Sequence, residues 1–161
     1  MTTPSLTDLD AEQERLQFRG FDYATAWALG MSMQAEAAAR SLPVAIEISH
    51  GSTVVFFALL PGATPDNPDW TRRKRAVALR FHKSSLYMRL QTEQHGGNFH
   101  ERYRLPEADF AASGGALPIV VHGVGVVGAA AVSGLPDVED HALVANAIER
   151  LIPTRPAGET R

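Results

Sequence analysis

The glycines of Gly123-Val-Gly125-Val-Val-Gly128 restrict the possible folds more than any other stretch. Their spacing, G-x-G-x-x-G, is that of a dinucleotide-binding loop. Such a loop needs a strand before it, a helix opening within it and an acid about 20 residues on for the ribose. A strand-like run, Leu117-Pro-Ile-Val-Val, does precede it. Only Ala-Ala-Ala-Val follows Gly128 before Ser133-Gly-Leu-Pro136, too little for a crossover helix. Glu149 has about the right spacing for the acid but falls late in a helical pattern, where no strand end presents it. A β-hairpin uses every residue instead. His122-Gly123 supplies a two-residue turn, and the returning strand runs from Val124 to Val132. Gly125 and Gly128 then mark a bulge or a close approach by a neighbouring element. A helix over Tyr23–Ser41 is the expected neighbour, and Gly128→Val is expected to lower stability.

The rest of the chain alternates between two periods. Residues 5–18 read as a short helix capped by Ser5 or Thr7, with Asp8, Asp10 and Glu12 in its first turn. Asp22 caps the second helix, whose apolar positions Ala24, Trp27, Ala28, Met31 and Ala35 follow the 3,4 spacing. Leu42-Pro43 stops it. Val44–Ser49 and Thr53–Leu60 then read as a hairpin turning at His50-Gly51-Ser52. Residues 101–105 alternate in character and suggest a short strand, and Pro106 to Phe110 a turn of helix. Pro136, at a first helical position, opens the last helix, with Val138, Ala142, Ala145, Ile148 and Ile152 inward. One domain over residues 1–161 is expected, with 154–161 a loose tail.

The segment from about Pro68 to Gln94 predicts one long helix, with Asn67 as its cap. Val77, Phe81, Ser84 and Met88 fall on one side, and Leu79, Leu86 and Leu90 nearly opposite. A helix with two apolar stripes must bury both. One stripe can cover a sheet; the other needs a second helix or a second copy of the chain. A homo-oligomer with this helix at the contact is the expectation.

Charge is unevenly distributed. Residues 1–70 carry 9 acids and 3 bases, residues 71–104 carry 9 bases and 2 acids, and residues 105–161 carry 7 acids and 3 bases. The basic middle either neutralises the acidic flanks or binds an anion. Nucleic acid is disfavoured, since net charge is −3 and no aromatics interleave with the basic run. With no cysteine, disulfides and thiolate chemistry are excluded. The first residues lack the apolar core of a signal peptide, and no apolar run nears the ~18 residues of a membrane span. A cytoplasmic location is expected.

Three segments together carry a family resemblance: Leu42-Pro-Val-Ala-Ile-Glu-Ile48, Leu60-Pro-Gly-Ala-Thr-Pro-Asp-Asn-Pro-Asp-Trp-Thr-Arg-Arg-Lys-Arg75, and the run from Gly114 to Val-Ser-Gly-Leu-Pro-Asp-Val-Glu-Asp-His141. The chain resembles an uncharacterised family of bacterial and fungal proteins within the haem-degrading HbpS/GlcG-like superfamily, over roughly Leu6 to Ile152. The resemblance implies an α+β, profilin- or PAS-like layered domain: an antiparallel sheet of about five strands with flanking helices. It also implies oligomers built from dimers, and haem as a possible ligand.

Candidate ligand-binding residues gather in the basic middle. Arg72, Arg73 and Lys74 sit where positive charge opposes a helix dipole, so acids or an anionic ligand such as haem propionates must compensate. His82, Lys83, Ser84 and Ser85 follow on the same segment; His82 is a surface, interface or ligand histidine. His122 reads as a turn residue, and His141 as a partner of Asp137 or Asp140. The six histidines show no zinc-ligand spacing, so no metal site is assigned. Ser84 and Ser85 lack the G-x-S-x-G elbow of a hydrolase, and no catalytic residue is identified. Two functions remain: an oligomeric domain binding haem or another small anion, and a non-catalytic oligomeric scaffold.

Overall fold

The computed structural model describes residues 1–153, so the expected tail at 154–161 lies outside the described residues. Local capping sets most of its elements. Helix α1 (Leu6–Arg15) opens on a capping box in which Ser5 and Asp8 each accept the other's backbone N–H. Strand β1 (Gln17–Phe18) follows, and Asp22 caps α2 (Tyr23–Ala39) by accepting from Thr25 N–H. The hairpin of β2 (Ala45–His50) and β3 (Thr53–Leu59) turns through Gly51, whose φ of 58° suits glycine. Next come α3 (Asp66–Phe81), α4 (Ser85–His95) and α5 (Phe99–Tyr103), then β4 (Ala116–Val121), β5 (Gly125–Ser133) and α6 (Asp137–Leu151).

The strands form one sheet in the order β1-β4-β5-β2-β3. All neighbours are antiparallel except the two-residue β1, which runs parallel to β4. Five strands were expected, but the fifth is β1. The segment proposed as a strand at 101–105 lies in α5 and the turn after it, because the Asn98 side chain accepts from the N–H groups of His100 and Glu101 and starts a helix.

The two faces of the sheet are packed differently. On one, Ile46, Ile48, Phe56, Leu117, Ile119, Ala130 and Val132 join α2 and α6 in the main core. Each fully buried aliphatic side chain there stabilises by about 1.5–3 kcal/mol. Helix α2 presents Ala26, Leu29, Gly30, Met33 and Ala37 inward, whereas Trp27 and Met31, expected inward, are exposed. The small-residue face wins because the Phe56 ring seats directly over Gly30, where a Cβ would collide with it. On α6 the buried set includes Ala145 and Ile148 as expected; Val138, Ala142 and Ile152 are only half buried. Pro136 caps α6 rather than opening it. On the other face α3 lies over a floor of Ala116, Ala129 and Ala131.

The expected long helix is two helices. It begins at Asp66 with Pro65, not Asn67, at the cap, and it stops at Phe81. His82 turns left-handed (φ 55°), and Ser84 caps α4 by accepting from Tyr87 N–H. The break rotates Leu86 into full burial and leaves Leu79 and Leu90 half buried.

The glycine string lies in the β4–β5 hairpin. Its loop holds three residues, His122 to Val124, not two, with Gly123 and Gly125 at φ 76° and 111°. At Gly128 an added Cβ would strike the backbone carbonyl of Ser49 on β2, so the close neighbour is a strand and not α2.

Candidate functional site

Most of the basic run is matched by carboxylates of the same chain. Arg72 donates to Asp69 (2.8 Å) and Asp109 (3.1 Å). Arg73 donates to Asp69 (2.8 Å) with its guanidinium 4.0 Å over the Trp70 ring. These hydrogen bonds, Arg72's foremost, hold the Asp69 carboxyl below its ordinary range. Asp66 and Asp69 in the first turn also suit the helix dipole that the arginines oppose.

Lys74 points the other way, into the protein. Its ammonium donates to Asp140 Oδ2 (3.0 Å) and to the Val132 carbonyl (3.2 Å), and both partners of the pair are buried. Asp140 Oδ1 accepts from Leu135 N–H (3.0 Å). Burial pushes the Asp140 pKa up to about 6, against the pull of the Lys74 charge and the Leu135 N–H. Gly115 makes room for the pair: a Cβ there would fall 2.9 Å from Lys74 Nζ, and its φ of 137° excludes most side chains in any case. One residue on, Arg75 faces Glu47 on β2 at 3.4 Å, with Glu47 Oε2 and Arg75 Nη1 lacking a hydrogen bond among the described residues. Burial raises the Glu47 pKa, opposed by Arg75 and Arg72.

The other candidates sit at the α3–α4 junction, roughly 12 Å further along the α3 axis at 1.5 Å per residue. His82 is exposed, and its carbonyl accepts from Gln13 Nε2 (2.8 Å). Lys83 reaches Asp10 (2.7 Å) and lies 4.7 Å from the Tyr87 ring centroid. Ser84 caps α4, and buried Ser85 accepts from Ala116 N–H (3.0 Å). The structure thus separates Arg72, Arg73 and Lys74 from His82, Lys83, Ser84 and Ser85.

Beside the junction α1 leans over a cleft lined by Leu9, Glu12, Gln13, Leu16, Ser84, Leu117, Pro118 and Ile148. Its cavity of about 10 Å³ has room for about one water. Glu12 lies 2.6 Å from His141 Nε2, so the partner of this buried histidine is neither Asp137 nor Asp140; its Nδ1 has no hydrogen-bond partner among the described residues. Lys74–Asp140, Glu47–Arg75 and Glu12–His141 were all missed from the sequence. The Arg-Arg-Lys-Arg and Glu-Asp-His strings did contain four of the six residues.

A family model described as "Haem degrading protein HbpS-like" matches residues 21–149. A UPF0303 protein of Streptomyces avermitilis is 46% identical over 153 residues, covering 95% of this chain and 93% of its own. One from Rhizobium meliloti is 47% identical over 141 residues, covering 88% and 86%. Among solved structures, the Ybr137w protein superposes with a TM-score of 0.83 at 27% identity, over 91% of this chain and 87% of its own. A PduOC:haem complex gives 0.70 at 15% identity, over 81% and 94%. At that identity the likeness shows the fold alone.

Proposed function

This chain belongs to the HbpS-like family, and from that membership we propose that it is a cytoplasmic, oligomeric domain that binds haem or another small anion at the α3–α4 junction. The observation that carries the reading is the break at His82. It leaves His82 exposed, next to Lys83 in the chain and two residues from Ser84, which lines a cleft whose apolar residues include Leu9, Leu16 and Leu117. A haem requires an axial donor, cations for its propionates and apolar cover. His82 and Lys83 meet the first two demands. The cleft has room for about one water, so it would not enclose the macrocycle, which His82 and Lys83 would hold from its rim. Bound iron would supply any redox chemistry; the chain's own part is to hold and orient the porphyrin. Arg72, Arg73 and Lys74 take no part in this reading, because they lie roughly 12 Å from the junction along α3 and Lys74 is buried against Asp140; Lys83 would exchange its half-exposed partner Asp10 for a propionate.

Hemin titrated into the pure protein is expected to give a saturable, shifted Soret band that His82→Ala abolishes and Lys83→Ala weakens. A spectrum identical to free hemin overturns haem as the ligand. A band untouched by His82→Ala overturns the junction as its place. The second reading, a non-catalytic assembly or interaction module, is favoured by apolar side chains exposed around β3, and capture of a defined partner protein without any ligand would support it.

A further inference from the structure

The sheet has two edges of unequal character. At one end β1 is only two residues long. At the other, β3 runs seven residues, about 24 Å at 3.4 Å per residue, as the sequence Thr-Val-Val-Phe-Phe-Ala-Leu. Exposed edge strands are ordinarily protected by charges or proline. β3 has neither.

Apolar exposure gathers around this edge on both faces of the sheet. Among the described residues the exposed large hydrophobics are Tyr23, Trp27, Met31, Val54, Phe57 and Leu59, with only Met1 and Val124 elsewhere. Tyr23, Trp27 and Met31 form an i, i+4, i+8 stripe on α2. Trp27 lies edge-on to Phe56, with ring centroids 5.1 Å apart, which fixes the stripe beside β3. Val54, Phe57 and Leu59 lie on the opposite face, since they pair with Ser49, Glu47 and Ala45 on the α3 side of the sheet.

We infer that β3 pairs antiparallel with β3 of a second copy about a twofold axis perpendicular to the sheet, joining two five-stranded sheets into one. The arrangement accounts for both apolar sets at once. A perpendicular twofold keeps both α2 helices on one side, where their Tyr23, Trp27 and Met31 stripes meet. It brings Val54, Phe57 and Leu59 of the two copies together on the other side. Such an interface is isologous, as a closed dimer requires. The areas agree in scale. Tyr23 is 66% exposed, Trp27 56% and Phe57 48%. At roughly 150–250 Å² per aromatic side chain, these three alone offer roughly 250–430 Å². One side of a standard interface buries about 800 Å², of which about 65% is apolar in homodimers. Met31, Val54 and Leu59 supply most of the difference. The inference refines the oligomeric part of the proposed function and is independent of its ligand.

Light scattering and cross-linking test it. The full-length wild-type chain is expected to be a dimer or a multiple of one at micromolar concentration. Phe57→Lys/Leu59→Lys and Trp27→Glu are expected to halve the mass or lower it further while circular dichroism is unchanged. Because the chain has no cysteine, single cysteines report the register without a disruptive charge. One position among Val55, Phe56 and Phe57 is expected to form a disulfide-linked dimer readily, whereas Cys at exposed His95 is not. A monomeric wild type overturns both this interface and the oligomeric reading. An oligomer whose mass survives the β3 and α2 substitutions, with no cross-link along β3, overturns the interface alone. A co-purifying chain of different mass cross-linked to β3 overturns the second copy as its occupant.

Discussion

The two faces of the sheet solve one packing problem in opposite ways. Toward α2 and α6, branched and aromatic side chains interdigitate: Ile46, Ile48, Phe56, Ile119 and Val132 fill the space with dispersion contacts. Toward α3 the same strands offer alanines, and the helix settles close enough for Lys74 and Arg75 to reach Asp140 and Glu47. The first face tolerates small shifts in helix position at modest cost. The second does not, because a displaced ammonium leaves a buried carboxylate unpaired. Ionic contacts therefore fix the register of α3 against α6, and apolar contacts supply the bulk of the stability.

Breaking the ionic face should have the largest effect. Lys74→Ala is expected to cost about 3–5 kcal/mol at pH 8, by chemical denaturation. The cost should shrink as pH falls and Asp140 takes up a proton, which leaves no charge behind; loss of the Lys74 charge raises that carboxyl further. Lys74→Met with Asp140→Leu should recover most of the loss, and a double variant as unstable as Lys74→Ala would mean that the pair is more than a strut. On the apolar face Ile48→Ala is expected to cost about 2–5 kcal/mol with the same value at pH 5 and pH 8. A matching pH response at both sites would dissolve the contrast.

Gly128→Val should cost about 1–3 kcal/mol or more by pushing β5 from the Ser49 carbonyl, read as a lowered denaturation midpoint. The pH profile sharpens the comparison further. Asp140 is raised from 3.8 to about 6 in the folded protein, so the folded state binds more protons between those values. Stability from this group is full below about pH 4 and declines as pH rises to about 6. Asp140→Asn should flatten that decline in a series of denaturation curves. Smallest of all, Ser84→Ala should cost about 1 kcal/mol through the lost α4 cap.

Local signals were legible and distant ones were not. Ser5, Asp22 and the Gly-bearing turns stood in the sequence as caps and corners, and so did both hairpins. The break at His82 was hidden because apolar residues keep helical spacing across it, although Ser84 before Leu86 and Met88 is a cap signal. The buried face of α2 was misread because alanines surround it, and only the position of Phe56 chooses between its sides. The alternation of residues 101–105 suggested a strand, and the helix cap at Asn98 that overrides it went unread. The ion pairs were invisible for a different reason. Lys74 and Asp140 stand 66 residues apart, and Glu12 and His141 stand 129 apart, so no window contains either pair.

The ties of α1 have a consequence for how the chain is made. Its polar anchors are the His82 carbonyl, Lys83, His141 and Glu149. Synthesis proceeds from the N-terminus at about 5–20 residues per second. Residues 6–15 are therefore made well before Glu149, and α1 cannot complete its polar contacts until α6 is present.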